Sequence, residues 1–249
     1  MLVIAHLSDT HLDSHPRSAE RTARVMDHLH ALPRPVDAIL ISGDIADHGE
    51  VAEYRTAAKL FASPLPVMLC PGNHDVRAAY RKGLLGDEGG GNGPINTRYD
   101  VAGAVFLLAD SSIPGEDDGH LDAETMDWLA DHLGSVPAGT PVFVSFHHPP
   151  VELHHPAIDS IRLFPAEPLA DLLAAHPQVV AVLTGHFHTA AASTFAGRPL
   201  RIAPGVVSTL RLPWEGDGPL VDLRQPPGVA FHVYDDAGLL TTHYRVVVR

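Results

Sequence analysis

Two histidines, His186 and His188, follow the apolar run VVAVLT in the stretch LTGHFH at residues 183–188. Successive side chains on a strand point to opposite faces, so the two imidazoles can share a face if extended geometry persists to the end of the run. Two imidazoles on one face suit a metal ion, for which histidine is the commonest ligand. Similar groups stand elsewhere: Asp9 and His11 in SDTH, Asp44 in SGD, Asn73, His74 and Asp75 in PGNHD, and His147 and His148 in HHPP. Each is weak alone, since an Asp after a strand often caps a turn and a loop Asn-His pair is usually turn chemistry. As an ordered set they are a supply of carboxylate, imidazole and amide ligands.

The elements that must position them are short apolar runs rich in branched residues: LVIAHLS (2–8), AILIS (38–42), PVMLC (66–70), AVFLLA (104–109), PVFVSF (141–146) and VVAVLT (179–184). They read as buried strands. Between them Val25, Met26, Leu29 and Leu32 keep helical spacing, as do Val51, Tyr54, Ala58 and Phe61, then Met126, Leu129 and Leu133, then Leu169, Leu172 and Leu173. Strand and helix in alternation make an α/β layered fold. Five of the six runs, all but AVFLLA, end in the groups named above. In such folds the C-terminal strand edges are where sites are assembled, so residues some 180 positions apart can meet. Beyond residue 190 the pattern is short strands and turns, closing with VAFHVY and LLTTHYRVVV joined by DDAG as a hairpin. With no linker and no repeat, residues 1–249 read as a single domain.

The chain has 249 residues, 45% hydrophobic and 19% charged, enough to bury a sizeable core. A formal charge of −13 argues against a duplex nucleic acid partner, which would need a basic stripe. A phosphate substrate would need positive charge from another source. Cys70 is the single cysteine, which excludes a disulfide framework and a cysteine-based zinc site. The start MLVIAHLSD carries no basic leader, and its apolar run is too short for a signal peptide or a membrane span, so a cytoplasmic protein is expected. The stretch GDEGGGNGP (86–94) lacks the strand, helix and Lys-Ser or Lys-Thr of a phosphate-binding loop and reads as a mobile loop.

The order DTH, GD, GNHD, HHPP, GHFH resembles the calcineurin-like metallophosphoesterase superfamily, with its pattern D-x-H, G-D, G-N-H-[DE], H, G-H-x-H, over residues 9–188. HHPP and the connection DSSIPGEDDGHLDAETMDWL look most like class III cyclic nucleotide phosphodiesterases and related glycerophosphodiesterases. The resemblance implies a four-layer αββα sandwich of two mixed sheets flanked by helices, with a dinuclear metal site at the C-terminal strand ends. It implies two ions bridged by Asp44, with Asp9, His11 and His188 completing one site and Asn73, His147 and His186 the other. The imidazoles of LTGHFH would then serve neighbouring ions. His147 is preferred to His148 because the family's H-x-P spacing is met with Pro149. His74 would lie beside the phosphate, stabilising charge or delivering a proton to the leaving alkoxide. Asp75 would orient a histidine or a loop amide.

Mixed imidazole, carboxylate and amide ligands suit Mn, Fe, Zn or Co and not an all-oxygen calcium cage. Two divalent ions beside two carboxylates keep a net charge of roughly +2, which an anionic phosphate can use. A shared hydroxide could then attack phosphorus in line. The expected function is metal-dependent hydrolysis of a small phosphodiester, with a 3′,5′-cyclic nucleotide as first choice of substrate. A phosphomonoesterase or glycerophosphodiesterase on the same core is the nearer rival, and a non-catalytic scaffold of the same fold the rival from another class.

His148 reads as a structural or rim histidine, and His154 and His155 as a solvated loop pair. His15, His28, His30, His132 and His176 fall in helices or loops with no visible partner. Arg211 and Trp214, in STLRLPWEGDGP, could reach across the site to a base or second ester group, or pack at a subunit contact in a homodimer.

Overall fold

A computed structural model of the chain describes residues 1–89 and 91–248. All six apolar runs form strands. In chain order the strands are β1 (Leu2–Leu7), β2 (Ala38–Ser42), β3 (Val67–Cys70), β4 (Thr97–Val101), β5 (Ala104–Leu108), β6 (Val142–Ser145) and β7 (Val179–Thr184). After these come β8 (Ala191–Phe195), β9 (Arg198–Ile202), β10 (Thr209–Leu210), β11 (Val221–Asp222), β12 (Gly228–Tyr234) and β13 (Leu240–Val246). The helices are α1 (Pro16–His30), α2 (Val51–Leu60), α3 (Arg77–Tyr80), α4 (Ala123–Ser135), α5 (Pro156–Asp159) and α6 (Glu167–Ala174).

Eleven of these strands form two mixed sheets, ordered β13-β12-β1-β2-β3 and β4-β5-β6-β7-β9-β8, and, among the described residues, β10 and β11 pair only with each other. β1, β2 and β3 run parallel, as do β5, β6, β7 and β9, while β4, β8, β12 and β13 pair antiparallel. Three apolar clusters explain why these strands are apolar at nearly every position. Ile4, Leu40 and Met68 of the first sheet meet Phe106, Phe143 and Leu183 of the second between the sheets. The alternate residues Ala5, Ile39 and Ile41 pack on Val25, Leu29 and Tyr54 of α1 and α2. Val105, Val144 and Val182 pack likewise on Leu129, Leu133, Leu169 and Leu173 of α4 and α6. Both faces of each sheet are covered, as parallel strands require, and the result is the expected αββα sandwich.

Some local expectations change. On α2 the buried alanine is Ala57 and Ala58 is exposed. β4 (TRYDV) carries no apolar run because it is a half-exposed edge strand, where charges are tolerated. Of the glycine-rich loop expected to be mobile, Gly90 lies outside the described residues. The carbonyls of Gly91, Gly93 and Pro94 accept hydrogen bonds from Arg81. Among the described residues no helix is long and apolar enough to cross a membrane.

Candidate metal centre

The groups at the strand ends come together. His11 Nε2 and His147 Nε2 lie 3.4 and 3.3 Å from the same oxygen, Asp44 Oδ2. His188 Nε2 lies 3.4 Å from Asp9 Oδ1 and 3.2 Å from His11 Nε2, and His186 Nδ1 lies 3.3 Å from His147 Nε2. Asn73 and His74 line the cleft over these atoms, and the His74 main-chain N–H donates to Asp44 Oδ1 at 3.0 Å.

The strand tips achieve this by turning abruptly. Asp9, His11, Asp44, His186 and His188 all have positive φ, between 40° and 68°. A side chain other than glycine pays roughly 1–2 kcal/mol for that conformation, and such residues gather at functional sites. This corrects the expectation for LTGHFH: β7 stops at Thr184, so His186 and His188 do not share the face of an extended strand. Each sits in its own left-handed bend. Two glycines permit the close approach of the loops. A Cβ on Gly43 (φ +95°) would run into the His147 ring, and one on Gly72 into the Asp44 carboxylate.

Hydrogen bonds fix the rings from behind. His147 Nδ1 donates to the Ser42 carbonyl at 2.7 Å, and His11 Nδ1 donates to Asp47 Oδ1 at 2.9 Å. Both partners can only accept, so both rings carry their proton on Nδ1 and present a bare Nε2 lone pair to the centre. His188 Nδ1 lies 2.8 Å from Ser208 Oγ. In the neutral rings the Nε2 acceptors of His11 and His147 therefore face an acceptor oxygen, Asp44 Oδ2, at 3.4 and 3.3 Å. Asp9 Oδ2, Asn73 Oδ1 and His186 Nε2 are buried without a hydrogen-bond partner. Bare lone pairs confronting carboxylate oxygens call for positive charge, and these residues fit metal ions.

The titration behaviour has the same origin. Burial alone would raise the Asp44 carboxyl, but His147, His11 and His74 hold it well below its usual range. Burial lowers His147, yet Asp44 outweighs it and lifts the ring to about 9. Burial dominates at His188, which falls to about 4, and at His186, which is lowered well below its usual value. Short of metal, protons would supply the missing charge.

Other residues settle between their alternatives or depart from their expected places. His148 takes the structural rather than the rim alternative: it is fully buried, its Nδ1 lies 2.7 Å from Ser111 Oγ, and its ring centroid is 4.7 Å from that of His186. Asp75 orients loop amides and no histidine: it accepts from the N–H groups of Gly72, Ile45 and Ala46 and from the Tyr54 hydroxyl. His154 is exposed as expected, but His155 is buried, with Nε2 3.1 Å from the Arg211 carbonyl. Arg211 and Trp214 do not line the cleft; Leu210, Leu220, Val221 and Leu223 from the same region do. Sequence reasoning missed Asp47, which also accepts from His74 Nδ1 on its carbonyl at 2.8 Å. The signal for it was its place three residues after Asp44. His15 and Arg17, at the start of α1, also line the cleft.

The family model for calcineurin-like phosphoesterase matches residues 2–190. A Rhodococcus erythropolis protein named as a probable cyclic nucleotide phosphodiesterase is 31% identical over 244 residues, which cover 94% of this chain and 80% of that one. A glycerophosphodiester phosphodiesterase of Enterobacter lignolyticus is 30% identical over 247 residues, covering 93% of this chain and 86% of its own. Among solved structures, a dimetal phosphatase from Danio rerio superposes with a TM-score of 0.70 at 16% identity, over 99% of this chain and 96% of that one; this likeness is one of fold.

Proposed function

Since the chain belongs to the calcineurin-like phosphoesterase family, we propose that it hydrolyses a small phosphodiester, with a 3′,5′-cyclic nucleotide as first choice of substrate. Residues 1–249 act as one domain in this reading, supported by the apolar layer the two sheets share. Asp9, His11 and His188 would hold one ion and Asn73, His147 and His186 a second, with Asp44 between them. Manganese, iron, zinc or cobalt suits this mixed donor set. When bound, such a pair supplies Lewis acidity toward phosphoryl oxygen and water.

The chain's own residues supply the rest. Asp47 holds the His74 ring through its carbonyl and the His11 ring through its carboxylate. With Nδ1 so engaged, a protonated His74 presents Nε2–H to the departing alkoxide, which takes the proton as its bond to phosphorus breaks. Asp75 keeps the loops after β2 and β3 in register at the Asp44 tip by accepting the amides of Ile45, Ala46 and Gly72.

The observation that carries the choice of a diester is the charge around the cleft. Among the described residues lining it, Arg17 is the one Lys or Arg, and its guanidinium is spent on the carbonyls of Val207 and Leu223. Asp13, Asp47 and Asp117 line it too. A monoester dianion brings a second negative charge to this acidic rim, and a diester monoanion does not. The names of the relatives support the same reading. A cytoplasmic location is part of it, compatible with a chain whose single cysteine, Cys70, gives no disulfide framework. The test is turnover of 3′,5′-cyclic AMP, glycerophosphoethanolamine and p-nitrophenyl phosphate on one metal-defined preparation. The diesters should be preferred; a monoester cleaved faster than both would refute the reading.

A further inference from the structure

The cleft has a volume of about 590 Å³, and the metal-type residues occupy one side of it. The rest of its lining mixes polar residues, Asp13 and Asp117 among them, with an apolar set. Leu220, Val221 and Leu223 stand in that set at 42%, 46% and 52% exposure, far above the core, and Ile158 and Ile161 join them. What sets these leucine and valine side chains apart is that they line one cleft together beside a polar site, and exposed apolar patches of that kind mark binding surfaces.

The segment that carries them cannot hold its own position. β10 and β11 pair over two residues each, Thr209 with Asp222 and Leu210 with Val221. A ribbon that short is not independently stable in water. Helix α1 holds it instead. Arg17 Nη1 donates to the Val207 carbonyl and Nη2 to the Leu223 carbonyl, both at 2.6 Å. One turn on, Arg21 Nε donates to the Val206 carbonyl at 2.6 Å and Nη2 to the Gln225 carbonyl at 2.8 Å. Two guanidiniums thus grip both the outgoing and the returning root of the segment. Charge-assisted bonds from a planar fork fix direction as well as distance.

We propose that Leu220, Val221 and Leu223, facing Ile158 and held in place by Arg17 and Arg21, form a subsite for a flat, ring-bearing ester group of the phosphodiester substrate. The inference rests on the phosphodiesterase reading and adds which end of the cleft selects the substrate, and how. A nucleobase or an aryl ring can cover this wall. A glycerol or ethanolamine group would leave it wet and place its own polar atoms against leucine. Arg17 and Arg21 are positioning residues: they touch the carbonyls of the segment and set where its side chains stand.

The test is steady-state turnover of 3′,5′-cyclic AMP, bis-p-nitrophenyl phosphate and glycerophosphoethanolamine by the metal-loaded wild type and by Leu223→Ser, Arg17→Ala and Arg17→Lys. Leu223 is half exposed, so its replacement leaves the fold standing, and thermal melting checks the arginine variants. Leu223→Ser should lower the preference for ring-bearing over glycerol diesters about tenfold, and through KM rather than kcat, the size expected for apolar contacts in a pocket. Arg17→Ala should do the same, and Arg17→Lys should restore little, because an ammonium cannot span two carbonyls as a fork does. A loss confined to cyclic AMP would assign the subsite to a nucleobase, and a loss shared with the aryl diester to any flat ring. An unchanged preference, or a loss in kcat equal for all three diesters, would overturn the subsite alone. Absence of diester turnover in the wild type would overturn the phosphodiesterase reading, and the subsite with it.

Discussion

His147 donates from Nδ1 to the carbonyl of Ser42 at 2.7 Å, and its Nε2 lies 3.3 Å from Asp44 Oδ2, two residues further along the chain. A histidine of one sheet is thereby aimed by the strand tip of the other. In the proposed centre His147 would hold an ion directly, and its loss should then exceed the cost of about 10–100-fold typical of outer partners. We expect His147→Ala to bind one ion instead of two and to lose more than about 100-fold in kcat/KM. Elemental analysis beside kinetics checks this, and a fully loaded variant would contradict it.

Asp47 touches His11 Nδ1 with its carboxylate and His74 with its carbonyl. Asp47→Asn keeps the carbonyl and weakens the grip on His11. Metal affinity should fall about 10–100-fold at one site only, as read by competition with a chromogenic chelator. Equal loss at both sites would place Asp47 elsewhere in the account.

His74 as proton donor has a signature that a structural role lacks. His74→Gln should bind its metals normally and slow cleavage of alkyl diesters by about 10²–10⁴-fold. The p-nitrophenyl diester, whose leaving group needs no proton, should be much less affected. Uniform slowing across leaving groups would argue against proton delivery.

The strand ends were legible because two signals coincide there: a run apolar at every position, followed at once by a carboxylate or imidazole. The bends were not. Nothing in the types of His186 and His188 shows that each adopts positive φ, and alternation on an extended strand was the natural expectation. Asp47 reads as a solvated loop charge until the fold sets it behind His11. The burial of His155 depends on the Arg211 carbonyl, 56 positions away. In the 208–223 segment, the pairing of β10 with β11 decides which side chains face the cleft. It puts Val221 there and leaves Trp214 70% exposed, off the cleft that the sequence had allowed Trp214 and Arg211 to reach across.

A buried polar chain makes folding sensitive to acid. His6 Nε2 lies 2.8 Å from Ser42 Oγ and its Nδ1 lies 3.0 Å from His232 Nε2, while His232 Nδ1 lies 2.9 Å from Thr242 Oγ1. Burial holds His232 down to about 3 and, with His232 beside it, holds His6 well below its usual value. The unfolded chain takes up a proton below its ordinary pKa near 6.5 and the folded chain does not, so stability falls with pH through that window. The slope from His232 should be about 1.4 kcal/mol per pH unit, extending down to its folded value near 3. Denaturant unfolding of chelator-treated protein from pH 7 to pH 4 should show a shallower slope for His232→Gln. Identical slopes would mean the ring is not held neutral.

The central claim is that the two groups of strand-tip ligands hold a pair of ions through Asp44. Metal stoichiometry of Asp44→Ala beside the wild type, by elemental analysis after loading and desalting, tests it most directly. The account predicts two ions per chain in the wild type and, in the variant, loss of the pair with a larger fall in turnover than any other single ligand change. Two retained ions and near-normal turnover in Asp44→Ala would contradict it.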